Sequence, residues 1–190
     1  QNPFLCACST LYDGLVKDVC FHTLKHTAFG PGARIFEPGV EAVGAHFVGW
    51  GAFEYALVGG NSSLGGLTSS PQRSMAASGS MLTEEEGPLA ATKGAWISEA
   101  AILAHWLHRG WLDATQTSEL ITVQAKPLVG IFASHSELLQ FVRAFSQTLL
   151  AALEQEPAET LSDLHMLVRH ESVVAAMPLD ARISLSSAAF

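Results

Sequence analysis

Residues 119–155 read ELITVQAKPLVGIFASHSELLQFVRAFSQTLLAALEQ, and several local signals agree in this stretch. Ser134 stands three residues before Glu137, which is the spacing of a capping box and predicts a helix start. Pro157 should end that helix, because proline has no N–H to donate and clashes with the preceding turn. Between these limits, apolar residues recur at steps of three and four along one helix face: Leu138, Val142, Phe145, Leu149 and Leu153. We therefore predict a buried helix between Ser134 and Pro157.

Two short runs lie upstream of this helix, at 120–123 and 128–132, and both are rich in β-branched and other apolar residues. Lys126 and Pro127 separate them. This pattern predicts two strands that form a hairpin or a bent ribbon and lead into the buried helix.

The rest of the chain predicts a mixture of short elements. Residues 1–9 are expected to be extended, and Thr10 with Asp13 marks a helix that runs to about His26. Alternating apolar and polar residues within 33–58 predict a small antiparallel sheet. Residues 95–108 predict a helix that Gly110 caps, and Thr160 with Asp163 marks the start of a later helix that ends by Pro178. A last strand is predicted at 182–185.

The length of 190 residues suits one domain with its own core. Residues 59–87 are rich in Gly, Ser and Thr, and we interpret them as a flexible loop or linker, with 181–190 as an apolar tail. The predicted fold is a single α+β domain, with a small antiparallel sheet packed against three to four helices and one long Gly/Ser-rich loop.

The composition indicates a surface that is partly covered. Apolar residues make up 48% of the chain and charged residues 15%, below the average of about 25% for soluble domains. Such a chain fits a subunit whose surface is buried against copies of itself or another protein. The alternative is a compact monomer that carries few charges.

The charge pattern disfavours nucleic acid and membrane insertion. The formal net charge is −8, and the ten Lys and Arg residues form no basic stripe for a phosphate backbone. No apolar run reaches the roughly 18 residues that a membrane span needs. The chain starts with Gln, so removal of a targeting segment is compatible with the sequence. The three cysteines of the chain favour a reducing intracellular compartment, or one bridge plus a free thiol.

Cysteines and histidines cluster near the N-terminus, where Cys6, Cys8, Cys20, His22 and His26 are residue types that bind zinc. On the predicted helix, however, Cys20 and His22 lie about 200° apart, since each residue turns the chain by roughly 100°. The set cannot converge on one ion without breaking the helix. We therefore predict no metal and no cofactor.

A thiol hydrolase is the catalytic alternative. Cys8 precedes the predicted helix start at Thr10, where the helix dipole would lower a thiol pKa, and His46 on a predicted strand could act as the general base. This order of cysteine and histidine is the general layout of papain-like enzymes, an analogy of placement only. The alternative interpretation is a buried structural cysteine and a hydrogen-bonded strand histidine.

His105 and His108 flank Trp106 at helical spacing, which we interpret as the basic end of a helix rather than a cofactor site. The leading functional prediction is a non-catalytic subunit or interaction module of a larger assembly, whose partner is a protein or another copy of the chain. The alternative function is the hydrolase with Cys8 as nucleophile and His46 as base.

Overall fold

The computed structural model describes residues 2–58, 88–164 and 168–188. The predicted loop at 59–87 lies outside these ranges. The helices that are described are α1 (Pro3–Leu11), α2 (Leu15–His22), α3 (Ala125–Ala133), α4 (Ser136–Leu153), α5 (His170–Ala176) and α6 (Leu179–Ala188), with a 3-10 helix at Glu99–Ile102. The strands are β1 (Leu24–Phe29), β2 (Arg34–Phe36), β3 (Gly44–Trp50), β4 (Ala52–Leu57), β5 (Leu89–Thr92), β6 (Trp96–Ile97), β7 (Gly110–Ala114) and β8 (Ser118–Gln124).

The strands form two four-stranded antiparallel sheets, in the orders β1-β8-β3-β6 and β2-β7-β4-β5. The α+β class predicted from the sequence is therefore confirmed, with six α-helices in the described part of the chain. Gly44 allows β3 to approach β8, because a Cβ at this position would overlap the backbone of Val123.

Two hydrophobic cores follow from this arrangement. One contains side chains from both sheets, including Val48, Tyr55 and Leu120, and the other is built mainly from helices around Phe4 and Phe145. Ala45 and Val123 join the helical core, although they belong to the same strands as Val48 and Leu120. Successive side chains of a strand point to opposite faces, so the β1-β8-β3-β6 sheet contributes one face to each core.

The predicted buried helix is confirmed as α4, and its apolar stripe is buried. Its N-cap is His135, one residue later than predicted: Ser134 is the C-cap of α3, where its hydroxyl donates to the carbonyl of Ile131. The helix packs Phe141 and Phe145 against Phe4 of α1. Burying these aromatic rings supplies much of the stabilisation of the helical core.

Other local predictions were wrong. The predicted helix from Thr10 to about His26 is interrupted after Leu11, and its last residues lie in β1. Residues 128–132 belong to helix α3 rather than a strand, and Pro127 lies in its first turn, where the missing N–H has no helical partner to lose. The first residues are helical rather than extended, because Asn2 caps α1 and Pro3 occupies its first position. Residues 95–108 form β6 and a 3-10 helix instead of one long helix, and 182–185 lie in α6. None of the helices within the described ranges is long and apolar enough to cross a membrane.

Candidate functional site

The candidate site is built around the carboxylate of Asp163, which is only 3% exposed. Asp163 follows α4 along the chain and enters the region between β4, β6 and β7. Both of its oxygens accept hydrogen bonds. Oδ1 accepts from Ser98 Oγ (2.9 Å), Trp106 Nε1 (2.8 Å) and His108 Nδ1 (3.0 Å), and Oδ2 accepts from the Arg109 backbone N–H (2.7 Å) and the Tyr55 hydroxyl (2.9 Å).

The backbone of Asp163 is held as firmly as its side chain. Its carbonyl accepts from the Ser98 N–H at 2.6 Å, and its own N–H donates to the Tyr55 hydroxyl oxygen at 3.2 Å. Ser98 and Tyr55 therefore each contact Asp163 twice. These contacts fix both the backbone and the carboxylate of Asp163.

A backbone turn at Ser98 brings the donors together. Ser98 has φ +56° and is the single non-glycine residue with positive φ within the described ranges. Left-handed backbone is unfavourable for residues with a side chain and persists where the surroundings hold it in place. Here it redirects the chain from β6 into the 3-10 helix, and the connection from that helix to β7 then supplies Trp106, His108 and Arg109.

The carboxylate is stabilised in its charged form. Burial alone would raise the pKa of Asp163, but hydrogen bonds from His108, Trp106 and the Arg109 N–H outweigh burial and bring the pKa below its usual value. Burial raises the pKa of Tyr55, which keeps its hydroxyl protonated as a donor. The site is therefore a cradle of donors for one negative charge.

Three rings stack on the side of this cradle. The His108 ring lies 3.6 Å from the ring of Phe36 at an interplanar angle of 2°, and the His46 ring is 6.5 Å from that of His108. His46 is 6% exposed, and its Nδ1 lies 2.8 Å from the hydroxyl of Thr122 on the neighbouring strand. Burial, together with the charge of His108, lowers the pKa of His46 to about 4. His46 is thus held neutral beside the charged site.

Ser98, His108 and Asp163 are the residue types of a hydrolase triad, but their geometry is different. In a triad, serine and aspartate contact opposite nitrogens of the histidine ring. Here Ser98 Oγ lies 3.3 Å from His108 Nδ1, the same nitrogen that contacts Asp163. Ser98 also donates directly to the carboxylate. This arrangement holds the Asp163 carboxylate and differs from the serine–histidine contact of a triad.

The two residues of the hydrolase hypothesis, Cys8 and His46, lie in different environments in the structure. Cys8 lies inside α1 in the helical core, with 0% exposure, and burial raises the pKa of its thiol well above the usual range. The reactive thiolate is therefore disfavoured, and substrate has no access to it. His46 is on β3, as predicted, but its Nδ1 faces Thr122.

Cysteine alkylation tests this placement of Cys8. We expect Cys8 to react with iodoacetamide at least about 100-fold more slowly than the exposed Cys20, because a buried thiol reacts only when the protein opens. Peptide mapping by mass spectrometry at pH 6 to 8 measures both rates. In 6 M urea, the same two cysteines should react at similar rates; fast native labelling of Cys8 would contradict the buried position.

The other residues that the sequence singled out are dispersed. His26 lies 3.8 Å from Glu119, and His105 lies 3.5 Å from Glu41, both in exposed pairs. Among the described residues, no group of three or more His, Cys, Asp and Glu is placed to hold a metal ion. His108, predicted to end a helix, belongs instead to the candidate site. Sequence reasoning missed Asp163, Ser98 and Tyr55 as residues of the candidate site, and no local spacing connects them.

No protein-family model and no curated protein matches the chain. Solved structures do match it. A structure of the C-linker/CNBHD of zELK channels, crystallized in the presence of cAMP, matches with 15% identity and a TM-score of 0.48. The match covers 72% of this chain and 59% of that one. A putative cyclic nucleotide binding protein from Ruegeria pomeroyi matches with 18% identity and a TM-score of 0.47, over 78% of this chain and 57% of that one.

The cyclic-nucleotide binding homology domain of a KCNH channel, solved in solution, matches with 14% identity and a TM-score of 0.47, over 80% of this chain and 91% of that one. The chain thus spans less than two thirds of the zELK and Ruegeria structures. These structures are named for cyclic nucleotide binding or for homology to domains that bind cyclic nucleotides.

These findings correct the function predicted from the sequence. The solved structures that match carry names of cyclic nucleotide-binding domains rather than of an assembly module or a papain-like hydrolase, so both functional predictions were wrong. The prediction of an assembly module relied on composition, but a low content of charged residues also fits a domain with two cores and a buried polar site. The second prediction failed because Cys8 faces the helical core.

Proposed function

We propose that this chain is a ligand-sensing regulatory domain of the cyclic nucleotide-binding type, in which Asp163 occupies the anion site as a ligand from the same chain. The observation that carries the proposal is the buried cradle of donors around the Asp163 carboxylate, supplied by Ser98, Trp106, His108, Arg109 and Tyr55. A buried cluster of convergent donors is what an anion-binding site requires.

The charge of the cradle favours a monoanion. A carboxylate and a cyclic phosphodiester each carry one negative charge and two oxygens that accept hydrogen bonds. Within the described ranges, no Lys or Arg side chain donates to Asp163, and the guanidinium of Arg109 turns to the carbonyl of Ala158 at 2.8 Å. A second negative charge would therefore be poorly balanced in this buried position.

Asp163 must leave before an external anion can enter. The preceding residues 154–160 are exposed, so the segment that carries Asp163 lies over the surface before it enters the site. An internal ligand reduces the apparent affinity for an external one by the fraction of molecules in which the site is vacant. We therefore expect weak anion binding by the wild-type chain and stronger binding once the carboxylate is removed.

Anion rescue of the variant Asp163→Ala tests the proposal. Differential scanning fluorimetry would measure the Tm of this variant with acetate, cyclic AMP, cyclic GMP and 5′-AMP in a buffer without carboxylate or phosphate. We expect a cyclic nucleotide to raise the Tm by several degrees at a concentration of about 100 times its Kd, because a ligand of the native state alone then stabilises by about 2.7 kcal/mol. The dianion 5′-AMP should have a smaller effect.

The matched control is Asp113→Ala, which removes an exposed carboxylate that pairs with Arg34 and leaves the site intact. No anion should stabilise this variant more than the wild type. If acetate alone rescues Asp163→Ala, the cradle binds anions but the cyclic nucleotide part of the proposal is wrong. If no anion rescues a folded Asp163→Ala, the sensing function is wrong.

A regulatory domain acts on another domain or protein, so a protein contact is expected for this chain. That expectation agrees with the protein partner or self-association predicted from the sequence, and it stays a prediction here.

A further inference from the structure

Two consecutive residues connect the anion site to the N-terminal helix. Ser98 contacts Asp163 through both its N–H and its hydroxyl. The next residue, Glu99, is half-buried and accepts a hydrogen bond from the side-chain amide of Asn2, which lies 97 positions away along the chain. The site and the start of α1 are therefore separated by one peptide unit and one hydrogen bond.

Asn2 has two roles at this junction. It is 4% exposed, and its Oδ1 accepts from the Leu5 N–H at 3.0 Å, so it caps α1 while its Nδ2 donates to Glu99. Phe4, two residues later, packs against Phe132 and Phe145 of the helical core. The orientation of Asn2 thus affects both the first turn of α1 and the packing of that helix.

Contacts to Asp163 hold the backbone of Ser98 in place. Its left-handed φ of +56° is unfavourable for serine, and the contacts to Asp163 oppose that preference. When the carboxylate and the Asp163 carbonyl leave, two of these contacts are lost. A relaxation of Ser98 then displaces the Glu99 carboxylate, because the two residues share a peptide bond.

We propose that the Glu99–Asn2 hydrogen bond couples occupancy of the anion site to the stability of helix α1. This inference rests on the proposed function, and it specifies how the state of the site reaches another part of the molecule. Coupling of this kind is reciprocal, so loosening α1 also weakens retention of Asp163 in the cradle.

Hydrogen exchange of the α1 amides, followed by mass spectrometry, tests the coupling without any added ligand. In Asp163→Ala we expect the amides of residues 5–11 to exchange about fivefold faster or more, the lower limit of usual coupling between sites. The milder variant Asp163→Asn, which keeps one acceptor, should change them in the same direction by a smaller factor. It also replaces Asp163→Ala if that variant is unfolded.

The variant Asn2→Ser separates the connection from the cap. Serine caps a helix about as well as asparagine, but its shorter side chain lacks the amide that reaches Glu99. In an Asn2→Ser background, Asp163→Ala should therefore accelerate exchange in α1 no more than in the core of α4, where exchange reports the global loss of stability. Asp113→Ala serves as the surface control and should leave α1 unchanged.

The coupling is wrong if Asp163→Ala accelerates exchange around 98–109 but leaves α1 at the wild-type rate. It is also wrong if the acceleration in α1 is the same with and without Asn2→Ser. Neither outcome bears on anion rescue. A cradle that binds cyclic nucleotides without affecting α1 would fail the hydrogen-exchange test and pass the anion-rescue test. Conversely, a cradle that affects α1 but accepts no external anion would fail only the test of function.

Discussion

Replacing Asp163 with alanine is expected to lower the free energy of unfolding by about 3–5 kcal/mol, the range for breaking a buried ion pair. The substitution leaves His108 and Tyr55 buried without their acceptor, and it removes the acceptor of Ser98, Trp106 and the Arg109 N–H as well. Each buried donor that loses its partner carries a desolvation penalty of about 1–3 kcal/mol. Urea unfolding followed by circular dichroism at pH 7 measures the loss.

Two matched variants make this measurement specific. Asp163→Asn keeps the shape and one carbonyl oxygen, so its loss should be smaller, about 1–3 kcal/mol. Asp113→Ala breaks the exposed pair with Arg34 and should cost less than about 1 kcal/mol. If Asp163→Ala unfolds within about 1 kcal/mol of the wild type in a buffer without anions, the cradle does not depend on its internal ligand.

The parts of the fold that the sequence predicted well are those with local causes. Helix α4 was predictable because its apolar stripe repeats every three or four residues and Pro157 follows its end. The strand at 120–123 was predictable from its β-branched and apolar residues. Residues 128–132 were assigned wrongly because a short apolar run fits a strand and a buried helix equally well, and only packing against α2 and α4 distinguishes them.

The candidate site was not predictable because its causes are not local. Asp163 meets His108 across 55 positions and Tyr55 across 108, so the contacts exist only after both sheets have formed. The left-handed conformation of Ser98 was not predictable, because glycine is the residue that usually signals this conformation in a sequence. In the sequence, His105 and His108 stand at helical spacing, and that periodicity predicted a helix where the chain makes a turn around a carboxylate.

Lowering the pH from 6.5 to 4 is expected to destabilise the protein by about 3 kcal/mol through His46 alone. Burial, together with the charge of His108, lowers the pKa of His46 from 6.5 to about 4, so the unfolded chain binds a proton throughout this range while the folded chain does not. Stability therefore rises with pH up to about 6.5 and is lost as the pH falls towards 4. At about 1.4 kcal/mol per pKa unit, the difference amounts to about 3 kcal/mol. Urea unfolding at half-unit intervals between pH 4 and pH 7.5 measures the slope.

The variant His46→Asn isolates this contribution. Its amide can still pair with the Thr122 hydroxyl but takes up no proton in this range, so the slope of stability against pH should flatten between pH 4 and pH 6.5. The flattening should be partial, because burial also lowers the pKa of His170, and that residue contributes a slope of the same sign. The pKa of Asp163 is also below its usual value. Protonation of its carboxylate therefore lowers the free energy of unfolding further at still lower pH. The exposed His26, replaced by asparagine, is the control and should keep the wild-type slope. An unchanged slope in His46→Asn would mean that water reaches His46 in solution, and the ring stack beside the cradle would then be open rather than closed.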